Sequence, residues 1–117
     1  MNILGAAASV RSTERDAAVE RFTAIFGAEP VHEFPIEGRD LTVTVFPGIS
    51  VLSGSPAALA ELKDLRATVF VDSSSRVRAE LQDGGWTIEG SLGGGSLLAR
   101  DPDGNLLEFV ENPDAPT

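Results

Sequence analysis

Few side chains in this chain of 117 residues can do chemistry, and they are widely spaced. With no cysteine and no tyrosine, thiolate and phenol chemistry, disulfides, Cys-ligated zinc and iron–sulfur clusters are excluded together. The one histidine, His32, rules out a two- or three-imidazole metal site within a single chain. It shares a face with Phe34 and Ile36, and serves either as a hydrogen-bonded core or edge histidine or as a general base. The most pointed acid is Glu108. It falls between Leu106 and Val110 on one face of an alternating run, where an unpaired carboxylate is costly and prefers to be neutral. Such a residue either binds or orients a ligand, or is held by a counter-charge or water. Trp86 follows Gly84-Gly85 and opens a strand, where it packs or lines the mouth of a binding site. The run Gly93-Gly94-Gly95 lacks a following Gly-Lys-Ser/Thr and opens no helix, so it reads as a hairpin tip rather than a phosphate loop.

Charge narrows the partners. Eighteen acids against nine bases leave a net charge of −9. A duplex nucleic-acid binder needs a basic face, and anionic membranes repel the same surplus, so neither partner is expected. Apolar stretches such as Ile3–Val10 fall far short of the ~20 residues a membrane span needs. No positive segment precedes that stretch, and Arg11, Glu14, Arg15 and Asp16 follow at once, so no signal peptide is expected and the protein reads as cytoplasmic. Eight arginines against one lysine hint at a GC-rich bacterial genome.

The elements that must position these residues repeat. Ile3–Val10 reads as a strand. Thr13, with Asp16 three residues on, resembles a capping box opening a helix whose apolar stripe is Ala18, Val19, Phe22, Ile25 and Phe26. Gly27 closes it. Three extended runs follow, Val31–Ile36, Leu41–Phe46 and Ile49–Ser53. A connector with Pro56 at a first helical position leads to a strand at Ala67–Val71, a helix capped within Ser73–Ser75, and three strands near Trp86–Glu89, Ser96–Arg100 and Leu106–Glu111. The order strand–helix–three strands therefore occurs twice in one α+β domain of residues 1–117. The modules are about 2–54 and 66–112, with a connector at 55–65 and a loose tail at 113–117.

The run Ala99-Arg100-Asp101-Pro102-Asp103-Gly104-Asn105-Leu106-Leu107-Glu108-Phe109-Val110-Glu111, set in that duplicated order, resembles the final hairpin of the vicinal oxygen chelate superfamily. This is the glyoxalase, bleomycin-resistance and dioxygenase group. The segment ending Phe22-Thr23-Ala24-Ile25-Phe26-Gly27 matches more weakly. The resemblance implies two tandem βαβββ modules whose sheets curl around a shared cleft. In metal-dependent members, His, Gln or Glu side chains from the first and last strands of each module face that cleft.

Counted from the turns and helices, the matching positions here are Ala7, Leu52, Arg66 and Glu108. Only Glu108 is a ligand for a divalent cation, and no cofactor or metal is expected. Arg66 either anchors an anionic group by its fork of donors or neutralises Glu108, and a salt bridge between the two is expected. Ligand-facing residues are then Glu108, Arg66, Leu52, Ala7, His32 and Trp86. The resemblance implies a metal-free small-molecule-binding protein that sequesters a cationic or amphiphilic ligand. The alternative is a lyase, isomerase or dioxygenase-like enzyme acting on a small metabolite in the same cleft. A homodimer is expected.

Overall fold

The computed structural model describes residues 2–36, 38–92 and 96–111. Gly93–Gly95 and the tail Asn112–Thr117, expected at a hairpin tip and as a loose end, lie outside the described residues. The elements are β1 (Ile3–Ser12), α1 (Arg15–Phe26), β2 (His32–Ile36), β3 (Leu41–Phe46), β4 (Ile49–Gly54), α2 (Pro56–Ala60), β5 (Leu65–Val71), α3 (Ser74–Asp83), β6 (Thr87–Gly90), β7 (Ser96–Arg100) and β8 (Leu106–Glu111). The chain is α+β, with the strand–helix–three-strand order used twice. No helix among the described residues is long and apolar enough to cross a membrane.

The chain divides into two compact units, one of residues 7–63 and the other of residues 2–6 with 64–111. The division departs from the expected 2–54 and 66–112 at both ends of the first module. The start of β1 neighbours β5, and the Asp72 N–H donates to the Asn2 carbonyl at 3.4 Å. At the other end, α2 packs on β4.

In the unit of residues 7–63, the strands lie in the order β2-β3-β4-β1, antiparallel except for the parallel β1–β4 pair. The helix start differs from expectation. The Ser12 hydroxyl, not that of Thr13, accepts the Glu14 N–H at 3.0 Å, and α1 opens at Arg15 with no side-chain cap. Gly27 ends it as expected, with a left-handed φ of 65° and its N–H donated to the Thr23 carbonyl. Strand alternation sorts the two faces. Phe46 and Val51 pack on Ala18 of α1, with Val10, Val19, Phe22 and Ile49 around them. Val43, Val45, Ser50 and Leu52 alternate with these and are buried on the opposite face.

In the other unit the order is β1-β5-β8-β7-β6, with β5 and β8 parallel. The Ser73 hydroxyl accepts the Arg76 N–H to cap α3, whose Val77 and Leu81 pack on Val71, Leu97, Ala99 and Phe109. The β7–β8 hairpin closes through Asp101. Its carboxylate accepts the N–H groups of Asp103 and Asn105 and the Asn105 side-chain amide, all at 2.8–2.9 Å. These bonds, the Asn105 side chain foremost, hold the Asp101 carboxyl below its ordinary range. Gly104 supplies the left-handed φ of 90° that the turn requires.

Gly54 ends β4 against the backbone of Asp40, and a Cβ there would sit 1.9 Å from the Asp40 carbonyl oxygen. Because the obstacle is backbone, Gly54→Ala should destabilise the protein by about 1–3 kcal/mol in urea unfolding. A midpoint equal to that of the parent would show that this approach is not constrained.

Candidate functional site

Leu107 and Phe109 of β8 pack toward α3, so Glu108 between them points to the other face with Leu106 and Val110. The parallel pairing sets Thr68 of β5 level with Glu108, and the antiparallel pairing sets Leu98 of β7 level with it on the other side. Thr68 is fully buried, and Glu108 is 1% exposed. The Thr68 hydroxyl donates to Glu108 Oε1 at 3.0 Å. Burial pushes the Glu108 carboxyl up to about 7, and the Thr68 bond tempers that rise by favouring the ionised form. The result is a carboxyl present in both protonation states at neutral pH.

Arg66 is not its partner. Leu65 lies opposite Leu106 and Ala67 opposite Leu107, so Arg66 is the extra residue of a β-bulge and is exposed. The expected salt bridge to Glu108 is absent. The bulge breaks the alternation that would have put residues 66 and 68 on one face, and Thr68 occupies the position the count assigned to Arg66. Trp86 also stands elsewhere. Its backbone N–H donates to the Leu81 carbonyl at the end of α3. Its ring meets Phe109 edge-on at 5.8 Å, on the face of the sheet opposite Glu108. The short connection from α3 pins the indole into the core beneath that helix.

Ala7, Leu52 and His32 belong to the other unit. Leu52 is buried on the face away from α1, and Ala7 on β1 shares that face. The β1 residue level with Leu52 is Arg11, four positions beyond Ala7, because β1 runs on to Ser12 instead of ending at Val10. His32 is half-buried at the start of β2, level with Val45. The sequence missed Thr68. A threonine inside Ala67–Val71 reads only as a good strand former, and its neighbour across the sheet is set by long-range register.

The donor set bears on the metal that the family resemblance raises. The pair offers one carboxyl and one hydroxyl, and the described residues contain no group of three or more His, Cys, Asp or Glu able to hold an ion. A divalent cation of the iron, nickel or zinc kind needs three or four imidazole or carboxylate donors, so these residues do not fit one.

The raised Glu108 carboxyl has a stability signature. The folded state binds this proton more tightly than the unfolded chain, whose carboxyl titrates near 4.5. Stability is therefore full below that value and falls as pH rises to about 7. The difference amounts to about 3 kcal/mol. Urea unfolding at pH 5 and pH 8 should show Glu108→Gln gaining about that much on the parent at the higher pH only. An equal difference between the two proteins at both pH values would refute the raised titration.

No protein-family model matches the sequence, and no curated protein does. Solved structures do match. An uncharacterized protein from Methanosarcina mazei superposes with a TM-score of 0.84 at 22% identity, over 100% of this chain and 98% of that one. The Mycobacterium tuberculosis methylmalonyl-CoA epimerase gives 0.67 at 19% identity, over 97% and 90%. The Streptomyces coelicolor methylmalonyl-CoA epimerase with 2-nitronate-propionyl-CoA gives 0.68 at 17%, over 100% and 99%. The chain thus has the fold of the vicinal oxygen chelate superfamily, the one its final hairpin and duplicated order resemble.

Proposed function

We propose that the protein is an enzyme acting on a small metabolite, in which Glu108 takes a proton from a carbon beside a carbonyl and returns it. The observation that carries this reading is the buried Glu108 carboxyl, raised to about 7 and held by the Thr68 hydroxyl. A general base works best when it titrates near the operating pH, and burial in an apolar row supplies that tuning without a metal or a cation. In the forward step the carboxylate accepts the C–H proton, and the electron pair passes to the carbonyl oxygen as an enolate. In the reverse step the carboxylic acid returns the proton to carbon.

The structural neighbours support an enzyme over sequestration of a cationic or amphiphilic ligand, the reading the sequence favoured. They include methylmalonyl-CoA epimerases, one of them in complex with methylmalonyl-CoA. A thioester carbonyl makes the neighbouring C–H acidic, the chemistry a lone carboxyl base can use. The net charge of −9 argues against a polyanionic carrier such as coenzyme A and for a small carbonyl compound of low charge.

Exchange in deuterium oxide tests the reading. Methylmalonyl-CoA and a panel of small α-substituted ketones and keto acids are incubated with the protein, and deuterium at the carbon beside the carbonyl is followed by proton NMR. At least one compound should exchange, with a rate rising through about pH 7. Glu108→Gln should be slower by about 100-fold or more. Exchange no faster than that of Glu108→Gln across the whole panel would overturn the proposal.

We also infer a homodimer. Ile25 is 74% exposed, and Phe26 and Val31 are exposed beside it in sequence. Large apolar side chains grouped in this way suit a protein interface better than water. Sedimentation at micromolar concentration should give twice 12.3 kDa, and a mass of 12.3 kDa would overturn the inference.

A further inference from the structure

We propose that Thr68 is a positioning residue that fixes Glu108 Oε2 as the oxygen that takes and returns the proton. This rests on the proton-transfer reading of Glu108. The Thr68 hydroxyl is fully buried on β5, level with Glu108 across the parallel pairing, and it donates to Oε1 at 3.0 Å. In the arrangement proposed, the hydroxyl keeps donating to Oε1 in both protonation states. It stabilises the carboxylate when the group is ionised and bonds the carbonyl oxygen when the group is an acid. The acidic hydrogen therefore resides on Oε2.

No charge on the surrounding strands competes for this role. Along β8 the neighbours on the same face are Leu106 and Val110, and on β7 the residue level with Glu108 is Leu98. Arg100 is level with Leu106, and its guanidinium is committed to Glu89 at 2.6 Å and to the Gly104 carbonyl at 2.8 Å. On β5, Arg66 is carried out to solvent by the bulge. Proton transfer through Oε2 balances simply. The C–H bond breaks as the Oε2–H bond forms, the electron pair remains on the substrate enolate, and the reverse step restores both.

The test uses Thr68→Val, which keeps the shape and removes the hydroxyl, and Thr68→Ser, which keeps the donor. Glu108 is titrated by NMR of carbon-13-labelled glutamate carboxyls, with its signal identified by its loss in Glu108→Gln. Losing a hydrogen bond that favours the ionised form should raise the Glu108 midpoint by about one pH unit in Thr68→Val. Deuterium exchange should slow by about tenfold, and Thr68→Ser should restore both. A Thr68→Val midpoint equal to the parent's, or a Thr68→Ser midpoint like that of Thr68→Val, would overturn the assignment. The two readings separate cleanly. A shifted midpoint with Glu108→Gln still active removes the proton-transfer reading and leaves Thr68 as the group on Oε1. An unshifted midpoint with Glu108→Gln inactive removes Thr68 and leaves the base.

Discussion

A carboxyl buried in an apolar row beside a hydroxyl is the constraint on which the chemistry proposed for this molecule rests. Glu108 is the only charged residue type among the described side chains that are fully buried. Its neighbours in the row are Leu98 across β7 and Leu106 and Val110 along β8. An ionised carboxylate taken out of water loses several kcal/mol of solvation unless charge or hydrogen bonds replace it. One threonine donor replaces part of that loss, and the rest appears as a raised proton affinity. The same burial that makes Glu108 a liability at high pH suits it to the proton transfer proposed for it at neutral pH.

That environment is built by register. The bulge at Leu65–Ala67 shifts β5 by one residue against β8, which brings Thr68 level with Glu108 and turns Arg66 outward. Without it, the register set by Leu65 and Leu106 would place Ala67 level with Glu108, and the carboxyl would lose its hydroxyl partner. On the other side, the Asp101–Asn105 turn fixes β7 against β8. Asp101 gathers three donors and Gly104 adopts the backbone that side chains avoid, so Leu98 rather than a polar neighbour meets Glu108. Both determinants are backbone features a strand or more away from the carboxyl they tune.

The same distinction explains what was legible in the sequence. Leu41–Phe46, Ser96–Arg100 and Leu106–Glu111 were readable to the residue because alternation and flanking turn residues coincide there. Glu108 was readable as a residue in an apolar setting for the same reason. A bulge, by contrast, is one added residue with no composition of its own, so the count that assigned Arg66 to the face of Glu108 had nothing to warn it. Ser12 and Thr13 offer equivalent hydroxyls one position apart, and only backbone geometry chose between them at the start of α1. Trp86 carried no directional signal because the turn after α3, not strand period, decides where its ring goes.

The two modules share an order of elements but not their polar content, and this bears on the reaction. Leu52 stands where the turn alignment places the counterpart of Glu108, and it is fully buried. In the proposed site the duplicated position therefore supplies no second carboxyl. A single carboxyl whose Oε2 both takes and returns the proton works on one face of a planar enolate. Such a base exchanges the proton with retention, or moves it between carbons on that face. Inversion would need a second donor on the opposite face or a turn of the intermediate within the site. The proton transfer proposed for Glu108 is thus exchange or isomerisation on one face, with Thr68 keeping the same oxygen in play at both steps.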